Sequence, residues 1–264
     1  MTTTMTRYCR GAAATVLILT FTLGACGGGG HRTSTPRQAP VIVIVAEDIS
    51  GSAFDRNAAR TPVVLEDALR TASDSGGEVF VIAITGDTAG ARLIPVSGSD
   101  ADFSAIPKWA RTEVLRQQWK AQLRRAIMGR YQDWRHKAKK ADGSDYIGLF
   151  LLLDDLLAGA HAGGAAQVWI VGDGFQDTPE WSLEPTSRDL DLARCRAKVQ
   201  QLRAAGDFGQ LHGAKVFFDG GGMRGDKGTA RQQAILRGCW EEIIRGAGGI
   251  TPPGWWEGTQ VQVG

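Results

Sequence analysis

Apolar runs of strand length alternate with segments of helical periodicity along most of this chain. The run Val41-Ile-Val-Ile-Val45 is β-branched throughout, which is typical of a strand buried on both faces of a parallel sheet. The other predicted strands are Glu78–Thr85, Ala91–Val96, Gln167–Val171 and Lys215–Phe218. Only Gly86–Gly90 separates the second strand from the third, so this pair is predicted to be a hairpin with an antiparallel edge.

Helical spacing of apolar residues predicts the elements between these strands. The predicted helices are Thr61–Ala72 with Pro62 near its start, Lys108–Lys140 as one long helix or a helix pair, Tyr146–Ala160, Arg188–Ala205 and Thr229–Arg245. Alternation of strands and helices indicates an α/β fold, with a doubly wound, mostly parallel sheet, one antiparallel edge strand and helices on both faces.

The N-terminal segment has the three parts of a secretory signal. Arg7 and Arg10 precede an apolar stretch, 12–23, that is shorter than the about 20 apolar residues a membrane-spanning helix needs. The following Leu23-Gly24-Ala25-Cys26 resembles the bacterial lipobox, which implies cleavage before Cys26 and attachment of lipid to its sulfur. The alternative is an uncleaved membrane anchor in which Cys26 is an ordinary thiol.

These segments predict the domain organisation and the location. Residues 1–25 are the signal peptide, 26–40 a flexible Gly-rich and polar linker, 41–249 the folded domain and 250–264 a tail without periodic pattern. We therefore expect a domain anchored by lipid to the extracytoplasmic face of the cell membrane.

Charge argues against nucleic-acid binding. Removal of residues 1–25 takes away two arginines and no acidic residue, so the 30 basic residues become 28 and equal the 28 acidic ones. A domain without a positive surplus is a poor candidate for contact with a polyanion.

Two of the four cysteines remain in the predicted domain. Cys9 leaves with the signal and Cys26 carries lipid, so Cys195 and Cys239 are left, each within a predicted helix. In an oxidising compartment they form either a disulfide or two buried thiols. The sequence contains no Cys/His spacing typical of a zinc site.

Polar loops follow the predicted strands at the end where α/β sheets bind ligands. Asp48-Ile-Ser50-Gly-Ser52 follows the first strand, Gly143-Ser144-Asp145 precedes an apolar helix, and Gly172-Asp173-Gly174-Phe-Gln-Asp177 follows the strand that ends at Val171. Together these loops resemble the von Willebrand factor A domain family, whose metal-ion-dependent adhesion site begins with Asp-x-Ser-x-Ser. The likeness extends from about Val41 to Gly248 in strand order and loop placement.

The resemblance implies a metal site made of Asp48, Ser50, Ser52, Ser144 and Asp173. Ser144 stands where the family commonly has threonine, and Thr85 or Thr88 could take its place. Two carboxylates and three hydroxyls suit a hard cation, Mg²⁺ or else Mn²⁺ or Ca²⁺. Poorly neutralised by hydroxyls, such an ion would attract a carboxylate of a protein partner, which implies binding without catalysis and indicates no small-molecule substrate.

Two other interpretations stay open for these loops. The same aspartates and serines could cap helices in a metal-free scaffold domain. The acidic loop also resembles that of haloacid-dehalogenase-type phosphatases, which implies Asp48 as nucleophile, Thr85 as phosphate-binding hydroxyl, and Asp173 and Asp177 as magnesium ligands. Those enzymes carry a second aspartate two residues after the nucleophile as the general acid/base, and this chain has Ser50 there.

Two further segments have alternative interpretations. Residues 108–140 contain eleven Lys/Arg and two Asp/Glu, which indicates either contact with anionic lipid or cell-wall polymer or a solvated helix face. The tail, with Trp255 and Trp256, either packs onto the domain or docks a partner.

Overall fold

The computed structural model describes residues 39–51, 53–89, 101–159, 165–220 and 229–256. Gln38–Gly264 form one compact unit. The signal peptide, Cys26, most of the linker, Ser52 and the predicted strand Ala91–Val96 lie outside the described residues.

Six strands are present in the described residues. They are β1 Val41–Asp48, β2 Glu78–Ile84, β3 Ala165–Val171, β4 Asp177–Thr178, β5 Trp181–Ser182 and β6 Lys215–Asp219. The first, second, third and sixth form one parallel sheet in the order β2-β1-β3-β6, and β4 and β5 form a separate antiparallel pair. The predicted doubly wound, mostly parallel fold is therefore confirmed.

Five helices connect these strands along the described chain. They are α1 Phe54–Ser75, α2 Glu113–Lys137, α3 Tyr146–Gly159, α4 Leu192–Ala205 and α5 Ala230–Gly246. Residues 113–137 form a single helix and not a helix pair. Helix α4 begins at Leu192 because Asp191 caps its first turn by accepting from Arg194 N–H. No helix in this part of the chain combines the length and apolar character that crossing a membrane requires.

The central strand β1 is buried along its whole length because its two faces enter two different cores. Ile42, Ile44 and Ala46 pack with side chains of α3, α4 and α5. Val41, Val43 and Val45 pack with side chains of α1 and α2. The alternation of side chains along a strand therefore explains the uninterrupted apolar run.

The predicted start of the first helix is wrong. The helix begins at Phe54, and Pro62 lies inside it rather than near its first position. Proline at an interior position costs about 3 kcal/mol, so other contacts must hold the first two turns. Asn57 supplies two of them, since its amide donates to the backbone carbonyls of Asp48 (2.7 Å) and Val171 (3.0 Å).

Helices α4 and α5 are joined covalently. The Cys195 and Cys239 sulfurs form a disulfide with Cα atoms 5.5 Å apart, across 44 residues of sequence. Both cysteines are fully buried in the core between the sheet and these helices.

The tail packs onto the domain as far as Trp256. Val216 N–H donates to Ile250 O (2.9 Å) and Phe218 N–H donates to Trp255 O (2.6 Å), so the segment after α5 runs along the outer edge of β6. The Trp255 and Trp256 rings are buried against the Phe218 ring.

Candidate functional site

Four of the predicted metal ligands lie together at the carboxyl end of the sheet. Asp48 is the last residue of β1, Ser50 follows it, Ser144 precedes α3, and Asp173 follows β3. All four are buried, with exposed fractions of 0, 5, 3 and 3 % respectively. The fifth predicted ligand, Ser52, lies outside the described residues.

The Asp48 carboxylate is the centre of this cluster. Its Oδ1 accepts from Ser50 N–H (2.8 Å), and its Oδ2 accepts from the Tyr146 hydroxyl (2.8 Å). The Ser144 hydroxyl lies 3.2 Å from both carboxylate oxygens. Side chains from the β1 loop and from the start of α3 therefore converge on one acidic group.

The environment of Asp48 disfavours its ionised form. Burial, and secondly the negative charge of Asp173, raises the pKa of Asp48 from 3.8 to about 6, and the bonds from Ser50 N–H and the Tyr146 hydroxyl only partly oppose this rise. Burial and the same two aspartates raise the pKa of Tyr146 well above its ordinary value, so its hydroxyl remains a proton donor.

Asp173 has a charged neighbour. Its Oδ2 lies 2.9 Å from Arg56 Nη2, and its Oδ1 accepts from Phe175 N–H (3.2 Å). One turn further along α1, Arg60 makes a similar pair with Asp219 at the end of β6, at 2.7 Å. The first turns of α1 thus place two guanidinium groups over the ends of neighbouring strands.

Backbone hydrogen bonds connect the loops to one another. Gly51 N–H donates to Ala141 O (3.2 Å), and Ala141 N–H donates to Ile49 O (2.9 Å). Ser144 and Asp177 exchange two backbone hydrogen bonds, at 3.4 and 2.9 Å. Because each loop is held by its neighbour, the site's oxygen atoms are positioned before any ligand arrives.

Gln176 fixes the start of α3. Its Oε1 accepts from the backbone N–H groups of Tyr146 (2.7 Å) and Ile147 (3.3 Å), which are otherwise unpaired in the first turn of a helix. The loop after β3 therefore orients Ser144 and Tyr146 together.

Gly172 has no room for a side chain. A Cβ atom there would lie 2.4 Å from the Tyr146 hydroxyl oxygen and 2.8 Å from Asp48 Cβ. The absence of a side chain allows β3 to pass close beneath Asp48, so any larger residue would push the Asp48 and Asp173 loops apart.

The alternative hydroxyls lie elsewhere. Thr88 Oγ1 bonds to the backbone of Thr85, and Thr85 Oγ1 accepts from Asp87 N–H, so both threonines serve their own turn. Asp177, a ligand in the phosphatase interpretation, has an exposed side chain. Of the three hydroxyls considered for this position, those of Ser144, Thr85 and Thr88, it is the Ser144 hydroxyl that lies next to the Asp48 carboxylate.

The residue types present fit a hard cation. Ser50 Oγ is buried, and the interaction of its hydroxyl with the Asp48 carboxylate is one of the effects that oppose the raised pKa of Asp48, so this oxygen lies beside a carboxylate that an ion could share. The described residues contain no group of three or more His, Cys, Asp or Glu that could hold a metal. A cation here would therefore depend on serine hydroxyls as well as the Asp48 and Asp173 carboxylates.

Several residues of this site were not predicted from the sequence. Arg56, Asn57 and Arg60 fall in the segment expected to precede the first helix, and Tyr146 and Gln176 were interpreted as an apolar helix start and a loop residue. A helix start at Phe54 would have placed the first three on one or two turns facing the sheet.

The basic segment keeps a surplus of positive charge at its surface. Its exposed charged residues are six basic and two acidic: Lys108, Arg111, Glu113, Arg125, Asp133, Lys137, Lys139 and Lys140. Some cations of the segment are engaged: Arg135 pairs with buried Glu47 (2.8 Å), Lys140 with Asp55 (2.8 Å), and Lys120 donates to Ser73 O. Since exposed cations still outnumber exposed acids along the segment, both interpretations of it stay open.

No protein-family profile and no curated protein matches this chain. Among solved structures, the chain is similar to the pilus adhesin SpaC of Lactobacillus rhamnosus GG in its open conformation, with 13 % identity over 78 % of this chain and 27 % of that one, TM-score 0.42. A second SpaC crystal form has 15 % identity over 53 % and 16 %, TM-score 0.31. The three N-terminal domains of the type V pili tip protein Mfa5 of Porphyromonas gingivalis have 13 % identity over 64 % and 27 %, TM-score 0.33. This chain spans about a quarter or less of each of those proteins.

Proposed function

We propose that this chain is a lipid-anchored, extracytoplasmic binding module of the von Willebrand factor A type, which holds a divalent cation and binds a protein partner through it. The observation that carries the proposal is the convergence of Asp48, Ser50, Ser144 and Asp173 at one sheet edge. The buried Ser50 and Ser144 hydroxyls lie beside the Asp48 carboxylate, so neutral oxygens and a carboxylate are available to one ion.

Each residue has a distinct part in the proposed site. Asp48 and Asp173 supply negative charge, and Ser50 and Ser144 supply neutral oxygens, with Ser52 as the fifth ligand. The bound Mg²⁺ or Mn²⁺ would keep a net positive charge, and a carboxylate of the partner protein would complete its coordination. Tyr146, Asn57 and Gln176 keep the loops in register by the hydrogen bonds described above.

A metal-free binding domain is the second candidate, and one contact favours it. Arg56 already places a positive charge 2.9 Å from the Asp173 carboxylate. In this version the guanidinium replaces the ion, and the loops keep the fold of a binding site without its cation.

Calorimetric titration of the full chain, purified in detergent, with Mg²⁺ and with Mn²⁺ separates the two candidates. The cation site predicts saturable binding that is lost in Asp48→Ala and in Asp173→Ala. Asp219→Asn is the matched control, because Asp219 lies at the same edge, is equally buried and belongs to the Arg60 pair. If the native protein and Arg56→Gln both give no heat of binding, the metal-free domain is the remaining candidate.

The anchor is tested separately. If Cys26 carries lipid, the native protein incorporates labelled palmitate and sediments with membranes, whereas Cys26→Ala does neither. Equal membrane association of both proteins would contradict the lipid anchor and leave the domain's binding site unaffected.

A further inference from the structure

Arg56 lies where a cation would have to bind. Its Nη2 is 2.9 Å from Asp173 Oδ2, and the other oxygen of that carboxylate accepts from Phe175 N–H. The Asp173 side chain is only 2 % exposed, so its oxygens are reached through few directions. An ion that binds Asp173 through Oδ2 therefore meets the guanidinium at close range.

Two positive charges held at one carboxylate oxygen repel each other, and this repulsion is reduced by water because the Arg56 side chain is partly exposed. Binding of the ion and retention of the Arg56 contact are therefore in competition. The arginine can leave, since its side chain is 45 % exposed and is attached to the first turn of α1. By contrast, Arg135 is only 10 % exposed and is held at Glu47.

We propose that Arg56 is the internal counter-ion of the site. Its guanidinium pairs with the Asp173 carboxylate in the cation-free protein and moves into solvent when a divalent ion binds. The inference rests on the cation site proposed above. Arg56 thereby sets the affinity for the ion, because every binding event must first break the Arg56–Asp173 pair. When no ion is present, Arg56 also balances the negative charge of Asp173, which lies near the buried Asp48 carboxylate.

The chain offers a matched control one turn away. Arg60 is on the same helix, is 43 % exposed, and pairs with Asp219, a buried aspartate outside the proposed ligand set. A general effect of removing positive charge from α1 would appear in Arg60→Gln as well as in Arg56→Gln. Only a local competition at Asp173 would appear in Arg56→Gln alone.

The experiment is a calorimetric titration of the native full chain, Arg56→Gln and Arg60→Gln with Mn²⁺ alone. We expect Arg56→Gln to bind Mn²⁺ about tenfold more tightly than the native protein, a typical size for coupling between two competing contacts. Arg60→Gln should stay within about twofold of the native value, since its charge lies outside the ligand set. Binding by Arg56→Gln where the native chain shows none also supports the inference.

Other results overturn it in distinguishable ways. Equal or weaker binding by Arg56→Gln, with binding by the native chain, refutes the role of Arg56 and leaves the cation site in place. No binding by either protein refutes both proposals.

Circular dichroism establishes whether Arg56→Gln is folded. Should it not fold, the native protein still gives a test: NMR of the Arg56 Nη–H groups should show faster exchange with solvent when Mg²⁺ is added. Unchanged exchange at saturating Mg²⁺ would overturn the proposal.

Discussion

Replacing Asp48 with asparagine should stabilise the cation-free domain at neutral pH. Asp48 is fully buried, and its folded-state pKa of about 6 lies above its usual 3.8. A carboxyl group with a raised pKa favours folding when it is protonated, and this contribution is lost as the pH rises through the folded-state value. Asparagine has nearly the same shape and no charge, so it resembles the protonated acid at every pH.

The interval between 3.8 and about 6 gives the size of the effect. At about 1.4 kcal/mol for each pKa unit, the ionised carboxylate lowers the free energy of unfolding by about 3 kcal/mol above pH ~7 and by nothing below pH ~4. The stability of the native protein should therefore fall between these limits by up to that amount from this group alone.

Urea unfolding followed by tryptophan fluorescence, with a chelator present, measures this difference. The Asp48→Asn variant should exceed the native protein in unfolding free energy at neutral pH and match it at acidic pH. Asp219→Asn is the control, and it should not gain stability because Asp219 lies against Arg60. The reasoning is refuted if Asp48→Asn is no more stable than the native protein at neutral pH, or if the difference between them does not depend on pH.

Two further predictions concern the connections that hold the site and the core. Asn57→Ala removes two hydrogen bonds to buried carbonyls and should lower the free energy of unfolding by about 2 kcal/mol. Val63→Ala, at a 40 % exposed position of the same helix, should change it by less than about 0.5 kcal/mol. Similar losses in both variants would contradict the role of Asn57. Replacing Cys195 and Cys239 together with alanine should cost about 3 to 4 kcal/mol, as expected for a cross-link across 44 residues, and an unchanged urea midpoint would show that the bond contributes nothing.

The strands were predictable because burial on both faces leaves a direct signal in the sequence. The continuous β-branched run of β1 identified the centre of the sheet, and the polar residues directly after the runs at Val45 and Val171 identified its carboxyl end. Parallel pairing then brings those residues to one edge without further information. Asp48 and Asp173 could therefore be placed at one edge from the strand pattern, whereas Ser144, which precedes a helix, came only from the resemblance to the von Willebrand factor A family.

The start of α1 was not predictable in the same way. Pro62 is typical of a first helical position, and no local feature shows that the helix continues for eight residues before it. What holds those residues is tertiary: Asn57 bonds to the ends of β1 and β3, and Arg56 pairs with Asp173. Because the contacts with Val171 and Asp173 join residues 114 and 117 positions apart, single-sequence periodicity cannot show them.

The segment after α5 has a consequence for how copies of this protein meet. An uncovered edge strand presents N–H and C=O groups with which a strand of another chain can pair. In β6, the outward N–H groups of Val216 and Phe218 already donate to the carbonyl oxygens of Ile250 and Trp255. A strand of another chain therefore cannot pair with β6 at these positions. Removal of residues 250–256 would expose these two N–H groups, so this segment protects the edge of β6 from pairing with a strand of another copy.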